Sequence, residues 1–161
     1  MGMHSDNQDL KKSIADAAAH HGLPPDIVYG VCMQESGGNP LAARYEPAYR
    51  WLVHDTRLRP RDCTRDTEEV LQKISWGLMQ VMGAVLREQG YGGWLTNVSG
   101  DIELQLDAGC KHLSQAVRRW GSVEAGLAAY NAGSPRPGLN GGYVNQHYVD
   151  SVLRKAKGWT E

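Results

Sequence analysis

Apolar residues recur along the chain in steps of three and four, separated by short polar or glycine-rich stretches, which is the pattern of amphipathic helices. Leu10, Ile14, Ala17, Ala18 and His21 form a first stripe, with Asp6 or Asn7 placed to cap it and Gly22 to stop it. Ile27, Val28, Val31 and Cys32 form a second, opened by Pro24 and Pro25 and closed by Gly37 and Gly38. Between Leu41 and Lys73 the periodicity fades. RYEPAYRWL is aromatic and polar, LRPRDCTRD is a surface loop by its turn formers, and a short helix is predicted over 66–74. Ser75 is then expected to cap a helix through WGLMQVMGAVLREQG, on which Leu78, Val81, Met82, Val85 and Leu86 repeat. Asp101 caps a long helix carrying Ile102, Leu106, Gly109, Leu113, Val117 and Trp120. Ser122 opens VEAGLAAYNAG, which Gly133 ends, and Tyr148, Val149, Val152, Leu153 and Ala156 mark a terminal helix. The strand signal is confined to a short stretch near 41–60. The fold class expected is mainly α, in one domain over residues 1–161.

One polar residue stands on an apolar stripe. Four residues on from Val31, and three from Cys32, is Glu35, at the C-terminal end of its helix. Desolvation there disfavours a carboxylate, and so does the partial negative charge of the helix terminus. A glutamate whose pKa is raised toward neutrality can act as a general acid. The alternative is a glutamate that tips outward from a fraying helix end into water, and periodicity does not choose between them.

Composition narrows the function classes. A length of 161 residues suits one core without staples, and 41% hydrophobic against 22% charged residues is an ordinary globular balance. A net charge of −1 gives no reason to expect a nucleic-acid partner. Phe is absent, so five Trp and seven Tyr supply the aromatic surface, which suits stacking on sugars. Cys32, Cys63 and Cys110 are odd in number and lack metal-type spacing, which predicts neither a disulfide framework nor a metal site. Cys32 and Cys110 fall on helical apolar faces as small core residues, and a reduced compartment is the simpler inference. MGMHSDNQDLKK has no apolar run and no stretch reaches transmembrane length, so neither a signal peptide nor membrane insertion is expected. Either the protein is held in the cytoplasm or a leader has been removed.

Four segments in order, QESGGNP, SWGLMQVM, AYNAG and NQHYVDSVL, carry the "ES", "GLMQ" and "AYN" motifs and a tyrosine-led "YVxxVL" helix. Together they resemble the lytic transglycosylases of the soluble-lytic (SLT) type, a goose-type-lysozyme-like family, over about residues 24–153. The resemblance implies a lysozyme-like α fold with a substrate cleft between helices, which the 41–73 insertion lines or covers. It also implies cleavage of the β-1,4 bond between N-acetylmuramic acid and N-acetylglucosamine in peptidoglycan glycan strands, with no cofactor and with the chain as a monomer. Glu35 then corresponds to the family's single acid/base, in a setting like the one that raises a lysozyme glutamate. Ser36 completes the "ES" pair, or simply bonds backbone at the helix end. Ser75 stands where a hydroxyl near the glutamate or the substrate's N-acetyl group is common. Met79 and Gln80 would line the cleft, Tyr130 and Asn131 would shape the central saccharide sites, and Tyr148 would hydrogen-bond Glu35. Without a leader, the resemblance fits a phage-type endolysin, cytoplasmic until release or virion-associated, acting on the wall in the periplasm.

The mechanism turns on a second carboxylate. Most glycosidases use two, about 5–5.5 Å apart for retention and about 6.5–9.5 Å for inversion. Lytic transglycosylases are similar to the substrate-assisted exceptions, ending in a 1,6-anhydromuramoyl product. Glu46, in RYEPAYRW, is the residue that would change this. Reaching the sugar's far face it would activate water and make the chain a muramidase; otherwise it is a substrate contact or an ion-pair partner of Arg44 or Arg50. A third reading keeps the fold without turnover, as a peptidoglycan-binding or assembly module. Wall clearing by wild type but not by Glu35→Gln separates that reading from an enzyme.

Overall fold

The computed structural model describes residues 3–160. Helices dominate it. Helix α1 spans Met3–His21, so the expected cap at Asp6 or Asn7 falls within the helix and not ahead of it. Helix α2 is Pro25–Glu35, α5 is Ile102–Trp120, α6 is Val123–Ala132 and α7 is Gln146–Ala156. The caps predicted at Asp101, Ser122 and Gly133 form. Asp101 accepts from the Leu104 N–H, Ser122 accepts from the Ala125 N–H, and Gly133 ends α6 in the left-handed region, as Gly121, not singled out in the sequence, ends α5.

These five helices close on one another. α1 packs on α2 and α5, α5 on α6, α6 on α7, and α7 back on α2. The stripes predicted from periodicity supply the filling: Ile14, Ala18, Val28, Val31, Cys32, Leu106, Cys110, Leu113, Leu127, Val149 and Val152 are all buried. The α2–α7 contact is backbone-close. A Cβ on Gly30 would lie 2.6 Å from the Val152 carbonyl oxygen, so only glycine fits there.

A smaller layer stands against this ring. β1 (Ala43–Tyr45), β2 (Ile74–Trp76) and β3 (Val81–Met82) form an antiparallel sheet in that order, with α3 (Arg65–Gln72) and α4 (Gly83–Glu88) beside it. β1 lies where the strand signal was expected. β2 and β3 correct the sequence reading: Ser75 caps no helix but sits mid-strand opposite Arg44 and Met82, and helix resumes only at Gly83. The run from Trp76 to Met82 cannot coil because Gly77 (φ +69°) and Gln80 (φ +50°) both turn left-handed. Gly77 is also pressed on Gln105, whose Cδ would lie 2.0 Å from an added Cβ. The predicted 66–74 helix starts and stops slightly earlier, since the Thr64 hydroxyl caps it at the Thr67 N–H and Ile74 has already joined the sheet.

The small layer has its own anchor, a buried ion pair. Arg87 donates from Nε to Glu68 Oε1 (2.7 Å) and from Nη2 to Oε2 (3.1 Å), and its Nη1 serves the carbonyls of Tyr91 and Gly93. Gln72 bonds Glu68 (3.0 Å) and clamps both the N–H and the carbonyl of Val53, pinning the insertion to α3. Burial alone would raise the Glu68 pKa, but the bonds from Arg87 and Gln72 outweigh it and hold the carboxyl below its usual range. No helix among the described residues is long and apolar enough to cross a membrane.

Candidate active site

Glu35 is the last residue of α2, at the seam between the helical ring and the sheet. The chain reaches it with the apolar stripe Val28, Val31 and Cys32 fully buried behind it, so its carboxyl leaves a dry surface at the edge of water. Burial is the main influence and raises its pKa above the usual glutamate value; the hydrogen bond from Tyr148 and the positive charge of Arg44 oppose that without cancelling it. The reading in which Glu35 tips away into solvent therefore does not describe the chain.

Tyr148 donates its hydroxyl to Glu35 Oε1 at 2.6 Å, across 113 residues of sequence. α7 delivers it: Tyr148 is in the first turn, on the same face as Val149 and Val152, and is buried. Burial first, and then the neighbouring glutamate, push the phenol far above its ordinary pKa, so it remains a donor across the working pH range. Tyr130, from the end of α6, is likewise raised well above its usual value by burial and then by Glu35. Its hydroxyl donates to the Met79 carbonyl (2.6 Å), and its ring lies 5.3 Å from that of His112.

The turn between β2 and β3 is fixed from three sides. The Ser36 hydroxyl lies 2.9 Å from the Leu78 carbonyl and 3.1 Å from that of Cys32, tying the end of α2 to the GLMQ segment. The Ser75 hydroxyl donates to Gln80 Oε1 (2.8 Å), and Gln80 Nε2 donates to the carbonyls of Gly77 (2.9 Å) and Ala42 (3.2 Å). The amide of Gln80 is thus held inside the turn, which supports its unusual φ. Gln105, fully buried on α5, accepts from the Leu78 N–H (2.9 Å) and donates to the carbonyls of Pro40 (2.8 Å) and Val98 (2.7 Å).

The structure brings Glu35, Ser36, Tyr130 and Tyr148 together, with Gln80 in the adjoining turn and Ser75 on β2 bonded to it. Met79 is a correction. Its side chain is fully buried, with Sδ against Gly109, so it lines no cleft; only its carbonyl belongs to the site, as the acceptor for Tyr130. Asn131 is exposed and accepts from Asn145 (2.9 Å), which also bonds the Ala128 carbonyl and so joins the end of α6 to the start of α7. Glu46 bonds the Arg44 guanidinium, one of the ion-pair roles expected for it, while its N–H donates to the Lys73 carbonyl.

Three residues escaped the sequence reading. Gln105 carried a signal, since it lies three residues from Ile102 and four from Gly109 and is a polar residue on an apolar stripe, as Glu35 is. Arg44 and His112 carried none: the first acts on Glu35 by charge from the sheet, and the second sits on Tyr130 with burial holding its pKa below the usual histidine value. A cavity of about 230 Å³ lies elsewhere, over α3 beside Glu68, lined by His54, Arg59, Arg65 and Glu69 among others, and does not include Glu35.

A buried-edge glutamate with a raised pKa, oriented by a phenol, can deliver a proton to a leaving oxygen and take one back. Among families of known proteins, the one described as the transglycosylase SLT domain matches residues 12–146. No curated protein and no solved structure matches the chain.

Proposed function

The chain belongs to the transglycosylase SLT family, whose members act on peptidoglycan, and from that premise we propose that it is a lytic transglycosylase in which Glu35 is the only acid/base. The observation that carries this reading is the Tyr148–Glu35 hydrogen bond at 2.6 Å on a carboxyl whose pKa burial has raised. Protonated Glu35 gives its proton to the glycosidic oxygen between N-acetylmuramic acid and N-acetylglucosamine, and the bond to the muramic C1 breaks. The muramic N-acetyl oxygen closes on C1 and holds the developing charge. Glu35, now a carboxylate hydrogen-bonded by Tyr148, takes the proton from the C6 hydroxyl as that oxygen attacks C1 and displaces the N-acetyl oxygen, whose bond to C1 breaks to restore the acetamido group. The products are a free N-acetylglucosamine end and a 1,6-anhydromuramoyl end, and no water is consumed.

Hydrolysis through Glu46 is the competing chemistry. Against it stands the occupation of that carboxyl by Arg44, since a general base must reach the water it activates. The experiment is digestion of purified cell walls in oxygen-18 water with mass analysis of the fragments. Anhydro ends carry no label and are one water lighter than hydrated ends. Glu46→Gln is expected to weaken turnover only modestly. Hydrated, labelled products together with an inactive Glu46→Gln variant would make the protein a muramidase.

A further inference from the structure

On the other side of the ring, α1 and α5 bring two imidazoles and a carboxylate together. His20 and His21 occupy the last turn of α1, and Asp107 lies one turn into α5. One ligand atom from each of the three falls within 4.8 Å of the others. We infer that His20, His21 and Asp107 form a binding site for a divalent transition-metal ion of the zinc class, which fastens α1 to α5.

The donor set decides the class of ion. Two imidazole nitrogens and one carboxylate oxygen suit zinc, copper or nickel, whereas magnesium and calcium take oxygen shells. Geometry sets how much must move. Bonds of about 2.0–2.2 Å to nitrogen and oxygen place tetrahedral ligands roughly 3.3 Å apart. His21 Nε2 and Asp107 Oδ1 are already 2.7 Å apart, and they open slightly to admit the ion. His20, exposed and edge-on to His21 with ring centroids 4.8 Å apart, swings in by side-chain rotation alone. The His21 side chain is the fixed member, only 12% exposed, while Asp107 is 59% exposed and free to adjust. Water completes the shell.

Two further features set the local field. The two imidazoles stand at the C-terminus of a 19-residue helix, where the unpaired carbonyls favour a cation. One of them, the His21 carbonyl, accepts from the Ser114 hydroxyl at 2.8 Å, so the backbone beneath the site is already tied to α5. Lys111 and Arg118 line the same hollow and oppose a cation. Arg118 is drawn aside by two bonds to Ser114, while Lys111 is half-buried at the rim of the hollow. The affinity expected is therefore that of a three-ligand surface site, weaker than a closed structural zinc.

The test is titration of the full chain with zinc chloride, read by the thermal midpoint, and with cobalt(II), read by visible absorption. Zinc should raise the midpoint and cobalt should give the absorption of a nitrogen- and oxygen-ligated tetrahedral site, without a sulfur charge-transfer band. Asp107→Asn and His20→Gln should each weaken zinc binding at least ~10-fold, with every shift measured against that variant's own metal-free midpoint. The control Lys111→Gln removes an opposing charge and should bind zinc at least as tightly as wild type. Absence of a zinc-dependent shift in wild type, an equal shift in Asp107→Asn, or a thiolate band from the cysteines would each overturn the assignment. None of these readouts depends on activity toward cell walls.

Discussion

At the scale of single residues, Glu35 sets two opposed demands, since the burial that makes it a useful acid also makes its anion costly. Glu35→Gln keeps the shape and removes the proton, so wall-clearing turnover should fall by at least ~10²-fold. The same variant reports on stability. A carboxyl whose folded pKa lies above its unfolded value contributes fully below the unfolded value and loses that contribution as pH rises through the folded one. Wild type should therefore match Glu35→Gln near pH 4 and below, about where unfolded glutamate titrates, and fall behind it toward neutral pH. Denaturant midpoints at a series of pH values check this, and a difference that is constant with pH would contradict it. Tyr148→Phe separates orientation from packing, because the ring stays and only the hydroxyl goes. That hydroxyl lowers the Glu35 pKa, so its removal raises it further, and the alkaline limb of the pH–rate profile should move up as the rate drops. The melting temperature should change little, and a limb that stays in place would assign Tyr148 to the core alone.

At the scale of elements, the site depends on a turn that no periodic pattern announces. Gln105→Leu is close in size but leaves the buried Leu78 N–H unpaired, while the carbonyls of Pro40 and Val98 lose one donor and keep the N–H groups of Gly100 and Asp101. A buried group left unpaired costs about 1–3 kcal/mol, so a loss of that order in denaturant unfolding is expected. Activity should fall with it, because the GLMQ turn is released from α5. What was legible in the sequence follows from the same physics. The stripes of α1, α2, α5, α6 and α7 follow from local spacing, as do the caps at Asp101, Ser122 and Gly133, and the structure reproduces these, though not the cap expected for α1. The Glu35–Tyr148 hydrogen bond followed from the order of four motifs. β2 and β3 did not follow, because strands of three and two residues on either side of the Gly77–Gln80 turn leave no period to read, and the apolar positions around them also fit a helix. The Glu68–Arg87 pair was equally silent: 19 residues apart in sequence, both look like ordinary surface charges until α3 and α4 bury them together. Met79 misled for the opposite reason. Its motif placed it at the site, but only its backbone is there.

At the scale of the molecule, five helices form a closed circuit in which each element is held by two neighbours. No helix of the circuit can leave without opening two interfaces, and such an arrangement unfolds as one unit. The three thiols turn that property into something chemically visible. Cys32 lies on α2 and Cys110 on α5, both deeply buried, and burial pushes the Cys110 thiol pKa up to about 12 and that of Cys32 higher still. Cys63 is also buried, but in the short turn before α3, near Glu68 and outside the circuit. A thiol reagent applied to the folded protein therefore reads opening events one compartment at a time. Cys63 should be modified first, as the insertion lifts from α3, and Cys32 and Cys110 later and at one common rate, countable by mass as successive additions. Cys32 sits one helical turn from Glu35, so the lag before its modification is a clock for how long the acid's dry backing stays closed.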